Sequence, residues 1–276
     1  MPLTADPAAI RTILERDRRW AAYALADLAP EYSAPACWRI ATDGRPALLL
    51  VYRGFQPPVL FAHGAAADLA PLLTEIAAEP EFCLSVRLDA ATLLRAGGYE
   101  IRDEKKMWRM AVEPARFVPQ PDTAVRLGPE DYDGLVSLHR DGDAAGEAPP
   151  FFHAGMLRHG VYFGIRECGA IVAAAGTHVL AERESVAAIG NVYTRRDRRG
   201  RGFAARVTGA VTGELVRLGL RTVVLNVGEL NAAAICVYKR LGFERYCAYR
   251  EGNASRGGAQ EALTPEAQPS LVRNTN

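Results

Sequence analysis

Long apolar runs are missing from this 276-residue chain, and none approaches the roughly 20 residues that a membrane-crossing helix needs. A charge excess is missing too. The formal net charge is +1, which points to neither a nucleic acid nor an anionic membrane as partner. The five cysteines (Cys37, Cys83, Cys168, Cys236 and Cys247) are odd in number and scattered. That pattern suits reduced thiols in a cytosol better than a disulfide framework or a zinc site, so no metal is expected. The opening Met-Pro-Leu-Thr-Ala-Asp has no basic start followed by an apolar block, so no secretory leader is expected. These absences predict a soluble, cytoplasmic protein; a monomer or homodimer is expected. What is present is 49% apolar content, enough for a sizeable core, on a length that suits two packed units.

The most informative stretch is Arg199-Gly200-Arg201-Gly202-Phe203-Ala204. Before it, residues 187–194 read as a strand. After it, Phe203, Val207, Val211, Leu215 and Leu218 recur at the spacing of one buried helix face. A strand turning through glycines into a helix leaves several backbone N–H groups aimed at one point, where the helix dipole adds positive charge. Such a turn suits a phosphate or pyrophosphate; a plain glycine turn with solvated arginines is the competing reading. A second strand, residues 221–227 with Asn226 near its end, leads to Asn231, an N-cap residue, and a short helix stopped by Gly242. Asn231, Ala234 and Tyr238 share one face of that helix, and Cys236 falls one residue off it.

Taken together, these residues resemble the GNAT superfamily of acyl-CoA-dependent N-acyltransferases. Its phosphate turn, Arg/Gln-x-x-Gly-x-Gly/Ala, is met by Arg199, Gly202 and Ala204. Its second signature, an Asn, a Tyr seven residues later, then Gly-Phe, is met by Asn231, Tyr238, Gly242 and Phe243. The wording Gly-Asn-Val-Tyr-Thr ahead of the turn is closest to the glycine N-acyltransferase-like branch. The resemblance implies an α+β (mixed α/β) fold with a mixed, mostly antiparallel sheet flanked by helices. It also implies acetyl-CoA or another acyl-CoA as donor and a small-molecule amine as acceptor. Contacts to the donor would come from Asn191, Val192, Tyr193, Thr194, Arg199, Gly200, Arg201, Gly202, Phe203, Ala204, Asn226, Asn231, Ala234 and Tyr238.

Along the chain, helical spacing runs from Ala8 to Leu28. Three short strands follow, the first two parted at Asp43-Gly44, then a helix over 66–77, a strand over 83–87, a helix capped by Asp89, and a long strand over 99–112. Leu94 to Tyr99 echoes Lys239 to Phe243, so the first unit (1–115) reads as a degenerate copy of the second, without its phosphate turn; an unrelated α+β cap is the alternative. Pro114, Pro119 and Pro121 mark a linker. The second unit (116–251) holds a loop over 141–150 that is mobile by composition, a short helix led by Phe151 and Phe152, a hairpin about Cys168-Gly169, and the motif strand. Residues 252–276 lack an apolar period and read as a loose tail.

The chemistry implied is direct attack of the amine on the bound thioester. A bulge in the motif strand, eased by Gly190, would open the edge at Asn191 to Thr194 for the pantetheine arm, with an N–H near Val192 or Tyr193 for the developing oxyanion. Tyr238 would protonate the leaving thiolate; packing as a core aromatic is the alternative. For the general base the candidates are His178, Glu182, Glu184, or a water held by Asn191. Strand alternation leaves the direction of His178 open. Phe151, Phe152, His153 and His159 lie where the superfamily builds its acceptor pocket. A catalytically idle acyl-CoA sensor and a protein or peptide N-acetyltransferase are the rival readings.

Overall fold

A computed structural model describes residues 6–41, 45–76, 79–121, 123–149 and 151–256. Asp43-Gly44, Pro150 and the tail beyond Arg256 lie outside the described residues. The chain forms two compact units, one of residues 1–108 and 247–276, the other of residues 109–246.

The first unit opens with α1 (Pro7–Leu14), α2 (Ala22–Ala26) and α3 (Pro30–Ser33). Strands β1 (Ala36–Ala41), β2 (Ala47–Tyr52) and β3 (Val59–His63) follow, then α4 (Ala66–Glu75), β4 (Glu81–Val86), α5 (Leu88–Ala96) and β5 (Tyr99–Val112). The residues of β5 from Arg109 on count with the second unit. β1–β2 and β2–β3 are antiparallel, and β3–β4 is parallel. Every residue of β2 is buried, as an inner strand covered on both faces should be. Leu69, Leu72 and Leu73 of α4 pack into the same cluster as Leu49, Val51 and Leu84.

Two local expectations change here. The helical spacing over 8–28 is broken, because α1 ends at Leu14 and Asp17 caps a new turn, its carboxylate accepting from the Trp20 N–H at 3.2 Å. Asp89 is not the cap of α5. Arg87 holds that position, and Asp89 accepts from the adjacent Ala90 N–H at 3.0 Å inside the first turn.

The second unit runs β6 (Val125–Arg126), α6 (Tyr132–Arg140), α7 (Ala154–His159), β7 (Tyr162–Glu167), β8 (Ala170–Ala181), β9 (Val186–Thr194), α8 (Phe203–Arg217), β10 (Thr222–Gly228), α9 (Ala232–Arg240) and the start of β11 (Glu244–Arg256), whose residues from Cys247 on count with the first unit. β6–β7, β7–β8 and β8–β9 are antiparallel, and β9–β10, joined through α8, is parallel. This is the mixed, mostly antiparallel, helix-flanked sheet expected. Both units share one connection order: antiparallel steps (two in the first unit, three in the second), a helix crossover to a parallel strand, then a second helix. Within the first unit, Arg250 to Ser255 of β11 run antiparallel to β4. Residues 252–256, expected to begin a loose tail, are thus tied down by ladder bonds.

The proline stretch forms a short 3₁₀ turn at Pro114–Arg116, and the Val118 N–H donates to the Leu241 carbonyl at 3.1 Å. No helix among the described residues is long and apolar enough to cross a membrane.

The core of the second unit gathers Leu135 and Leu138 of α6, Met156 and Leu157 of α7, and Tyr162, Ile171 and Tyr193 of the sheet. Phe152 stacks on Tyr132 at 5.4 Å and meets the edge of His139 at 4.9 Å. His139 is buried, and its Nε2 has no hydrogen-bond partner among the described residues. Burial pulls its pKa down to about 4, against a small opposing pull from Asp143. Released into the unfolded chain, the imidazole titrates near ~6.5. Between those values the unfolded state binds a proton that the folded state does not, so stability falls as the pH drops from about 6.5 toward 4. The loss attributable to His139 should be on the order of 3 kcal/mol. Urea unfolding of wild type and His139→Gln across that window should show a shallower acid slope for the variant; equal slopes would place the proton elsewhere.

Candidate functional site

The β8–β9 ladder carries two irregularities of opposite sense. Ala174 faces Tyr193 and Gly176 faces Gly190, so β9 has one residue more than β8 across this interval. Next to it, Thr177 faces Ile189 and Val179 faces Ala188, so β8 carries the extra residue at His178. Asn191, inside the first bulge, takes a left-handed φ of 51°, a conformation that asparagine tolerates better than most side chains.

On the other side of β9, the parallel register with β10 runs from Val186–Thr222 to Ile189–Leu225 and stops, although the strands continue to Thr194 and Gly228. Past that point β9 presents Asn191 to Thr194 and β10 presents Asn226. Backbone groups facing a parted neighbour are what an extended ligand would bind as an added strand.

The turn after β9 has the geometry its glycines imply. Gly200 and Gly202 sit at φ of 79° and 77°, and Gly202 caps α8 in the left-handed region. A Cβ at either position would meet nothing within 4 Å, so the turn is open. Arg206 N–H is the first in α8 to reach a carbonyl, that of Gly202 at 3.2 Å. The backbone N–H groups of residues 200–205, including Arg201, Phe203 and Ala204, make no hydrogen bond among the described residues. Together with the dipole of the 15-residue α8, they make a concavity of the kind that suits an anion.

The arginines do not stand as free charges. Arg199 pairs with Glu147 at 2.6 Å, Arg201 and Arg198 with Glu167 at 2.7 and 2.8 Å, and Arg195 with Asp197 at 2.6 Å. Arg196 lies 3.9 Å from Glu147. A bound phosphate is therefore not needed to explain the arginine cluster. The hydrogen bond from Arg199 holds the Glu147 carboxyl below the usual range. The loop over 141–149, expected to be mobile, is latched by the same residue and by Asp141. Asp141 Oδ2 accepts from the Tyr193 hydroxyl at 2.9 Å and the Arg196 N–H at 2.8 Å. Burial, then Asp141, push the Tyr193 phenol up to about 12. The Arg199 guanidinium lies 5.7 Å from the centre of the Tyr193 ring, and its Nε donates to the Thr194 carbonyl at 3.3 Å.

On α9, Asn231 Oδ1 accepts from the Ala234 N–H at 3.1 Å, the expected N-cap. Tyr238 is buried against Phe243 at 6.3 Å, and burial pushes its phenol up to about 12. No hydrogen bond or ring contact joins Tyr238 to His178, Asn191 or Arg199 among the described residues.

His178 is half-buried at the second bulge, its Nε2 3.0 Å from Asn191 Oδ1. Gly190 is explained by that ring: a methyl group at 190 would collide with the imidazole. Glu182 and Glu184 lie in the turn before β9, nine and seven residues from Asn191; the strand from Val186 to Asn191 alone spans roughly 17 Å at 3.4 Å per residue, so both are set aside as bases. His153 is the N-cap of α7 and His159 its last residue; Phe151 meets the edges of both His153 and His178. Sequence reading missed Glu147, Glu167, Asp141 and Tyr162. The one available signal was the acidic composition of 141–147 beside an arginine cluster that needed partners.

Residues 162–251 match the FR47-like protein family model, and no curated protein matches the chain in sequence. Among solved structures, the chain is similar to a protein from Novosphingobium aromaticivorans assigned to the GNAT family of acetyltransferases. That pair shows 22% identity and a TM-score of 0.58, over 86% of this chain and 97% of that one. A GCN5-related N-acetyltransferase from Kribbella flavida aligns at 19% identity and TM-score 0.55, over 87% and 96%. A tandem GNAT protein of the clavulanic acid biosynthesis pathway aligns at 16% and 0.54, over 94% and 99%.

Two measurements bear on the turn. Arg199→Ala combined with Gly202→Val, which puts a β-branched residue where φ is positive, should abolish CoA binding in calorimetry while circular dichroism stays native. Glu147→Gln should tighten CoA binding by a factor of a few, since the carboxylate competes for Arg199; weaker binding would mean that Glu147 shapes the turn instead. Residues 162–251 thus carry an FR47-like domain, and the chain is built on the fold of the GNAT acetyltransferases.

Proposed function

We propose that the second unit binds acyl-CoA, acetyl-CoA in the first instance, and transfers the acyl group to a primary amine of a small molecule or amino acid in a ternary complex. One observation carries this reading: the β9–β10 register ends where β9 bulges, a few residues before a turn whose N–H groups are undonated. A diphosphate at residues 200–205 and an extended arm along Asn191 to Thr194 would be contiguous in the chain. The FR47-like match covers both segments.

In this reading Arg199, Gly200, Arg201 and Gly202 hold the diphosphate, and the edge of β9 orients the thioester. His178 takes a proton from the amine. Tyr238 returns one to the sulfur. The phenol at about 12 stays protonated throughout the working range. Passing its proton to a thiolate of ordinary pKa near ~8.5 in water would be uphill by about 5 kcal/mol. The transfer works only if the thiolate forms in the same apolar surroundings, where its charge is equally costly. The shared connection order supports reading the first unit as a degenerate copy. Its crossover turn, His63-Gly64-Ala65-Ala66, has one glycine and no arginine, so no donor site is proposed there.

Thiol release from acetyl-CoA over a panel of amines, amino acids and short peptides is the direct test. Tyr238→Phe should lower kcat ten-fold or more, within the range for general acid catalysis, at unchanged CoA affinity. His178→Gln should remove the acid limb of the kcat/KM profile. Tight CoA binding with no release on any acceptor would identify an acyl-CoA sensor, and turnover confined to peptides would move the acceptor to protein amines.

A further inference from the structure

A chain of buried polar groups runs behind His178, and its polarity is fixed at one end. His178 Nε2 lies 3.0 Å from Asn191 Oδ1. Asn191 Nδ2 is 2.8 Å from the Tyr162 hydroxyl and 3.7 Å from Met156 Sδ. The Tyr162 hydroxyl in turn lies 3.3 Å from the Thr177 carbonyl and 3.7 Å from the same sulfur. Tyr162 and Asn191 are 1% and 5% exposed, so water does not substitute for these partners.

A carbonyl oxygen and a thioether sulfur accept hydrogen bonds and donate none. The Tyr162 proton is therefore directed at the Thr177 carbonyl or the sulfur, and its oxygen accepts from Asn191. The end of the Asn191 amide facing Tyr162 and Met156 must be the NH₂ group. A reversed amide would turn its oxygen toward the sulfur lone pairs and draw the hydroxyl away from Thr177. That leaves Asn191 Oδ1 toward the imidazole, where it can only accept. His178 must then carry its proton on Nε2, and the lone pair of the neutral ring sits on Nδ1.

The fold makes room for this chain at one place. Gly176 and Gly190 face each other across the β8–β9 ladder. A Cβ at Gly176 would strike the Tyr162 ring, and one at Gly190 the His178 ring. The two bulges at 178 and 190–193 then set His178 beside Asn191.

We infer that Tyr162 and Asn191 are positioning residues that hold His178 as its Nε2–H tautomer and so make Nδ1 the nitrogen that receives a proton. The catalytic consequence rests on His178 being the base, as proposed above; the tautomer does not. In long-range proton–nitrogen spectra of the ¹⁵N-labelled full chain at pH 8, without ligand, the ring signals lost in His178→Gln identify this residue. They should show a protonated-type Nε2 and an unprotonated-type Nδ1. Tyr162→Phe keeps the ring but frees the amide to reverse, and should shift His178 toward a mixture of tautomers while the signals of the other four histidines stay in place. An Nδ1–H tautomer in wild type, or a pure Nε2–H tautomer in Tyr162→Phe, would overturn the inference. Wild-type turnover by His178→Gln would remove the base reading alone, because the spectra judge the relay independently of activity.

Discussion

The site depends on β9 parting from β10 after Ile189. Up to that residue the two strands satisfy each other, as parallel neighbours joined through a helix must. Beyond it, the extra residue in β9 and the left-handed backbone at Asn191 turn the strand away, and the ladder cannot continue. Backbone groups that a closed sheet would consume become available, and they become so immediately before the chain enters the glycine turn. The opening follows from one local departure from regular pairing, and the concavity beyond it from the glycine turn.

The compensating bulge in β8 matters as much. A single extra residue in β9 would shift every later pair by one and exchange the buried and exposed faces of the hairpin. The extra residue at His178 restores the register, so Leu180 and Ala181 still meet Ala187 and Val186. His178 is the residue left over by that restoration. Its ring lies against Gly190 because no side chain stands there, and its hydrogen bond to Asn191 links the two irregularities.

Electrostatics in the turn are partly offset within the protein. Glu147, Glu167 and Asp197 offset part of the charge of the five arginines before α8, so the positive pole that remains combines the backbone with residual guanidinium charge. An anion arriving there would gain the N–H groups of residues 200–205 directly and would have to compete for Arg199. Because Glu147 belongs to a loop also tied by Asp141 to Tyr193 and Arg196, that competition couples the turn to the 141–149 segment.

Several elements were legible before any tertiary structure was known. β2, β5, β9 and the Asn231 cap appear where composition and period place them, because they rest on local preferences: a continuous apolar run, an alternation, a side chain that bonds its own backbone. The positive φ at Gly200 and Gly202 belongs to the same class. The break after Leu14, the true cap of α5 and the latched loop did not, since each depends on a side chain reaching a partner that simple spacing cannot rank.

His178 marks the boundary between the two kinds of knowledge. Its residue type and its place on a strand were set by the chain alone, as was the strand–glycine turn–helix order that makes an anion site possible. Its direction, its partner and the nitrogen that holds its proton were decided only in the folded sheet. A bulge is a property of two strands in register, and a tautomer is a property of the acceptors that close around a ring.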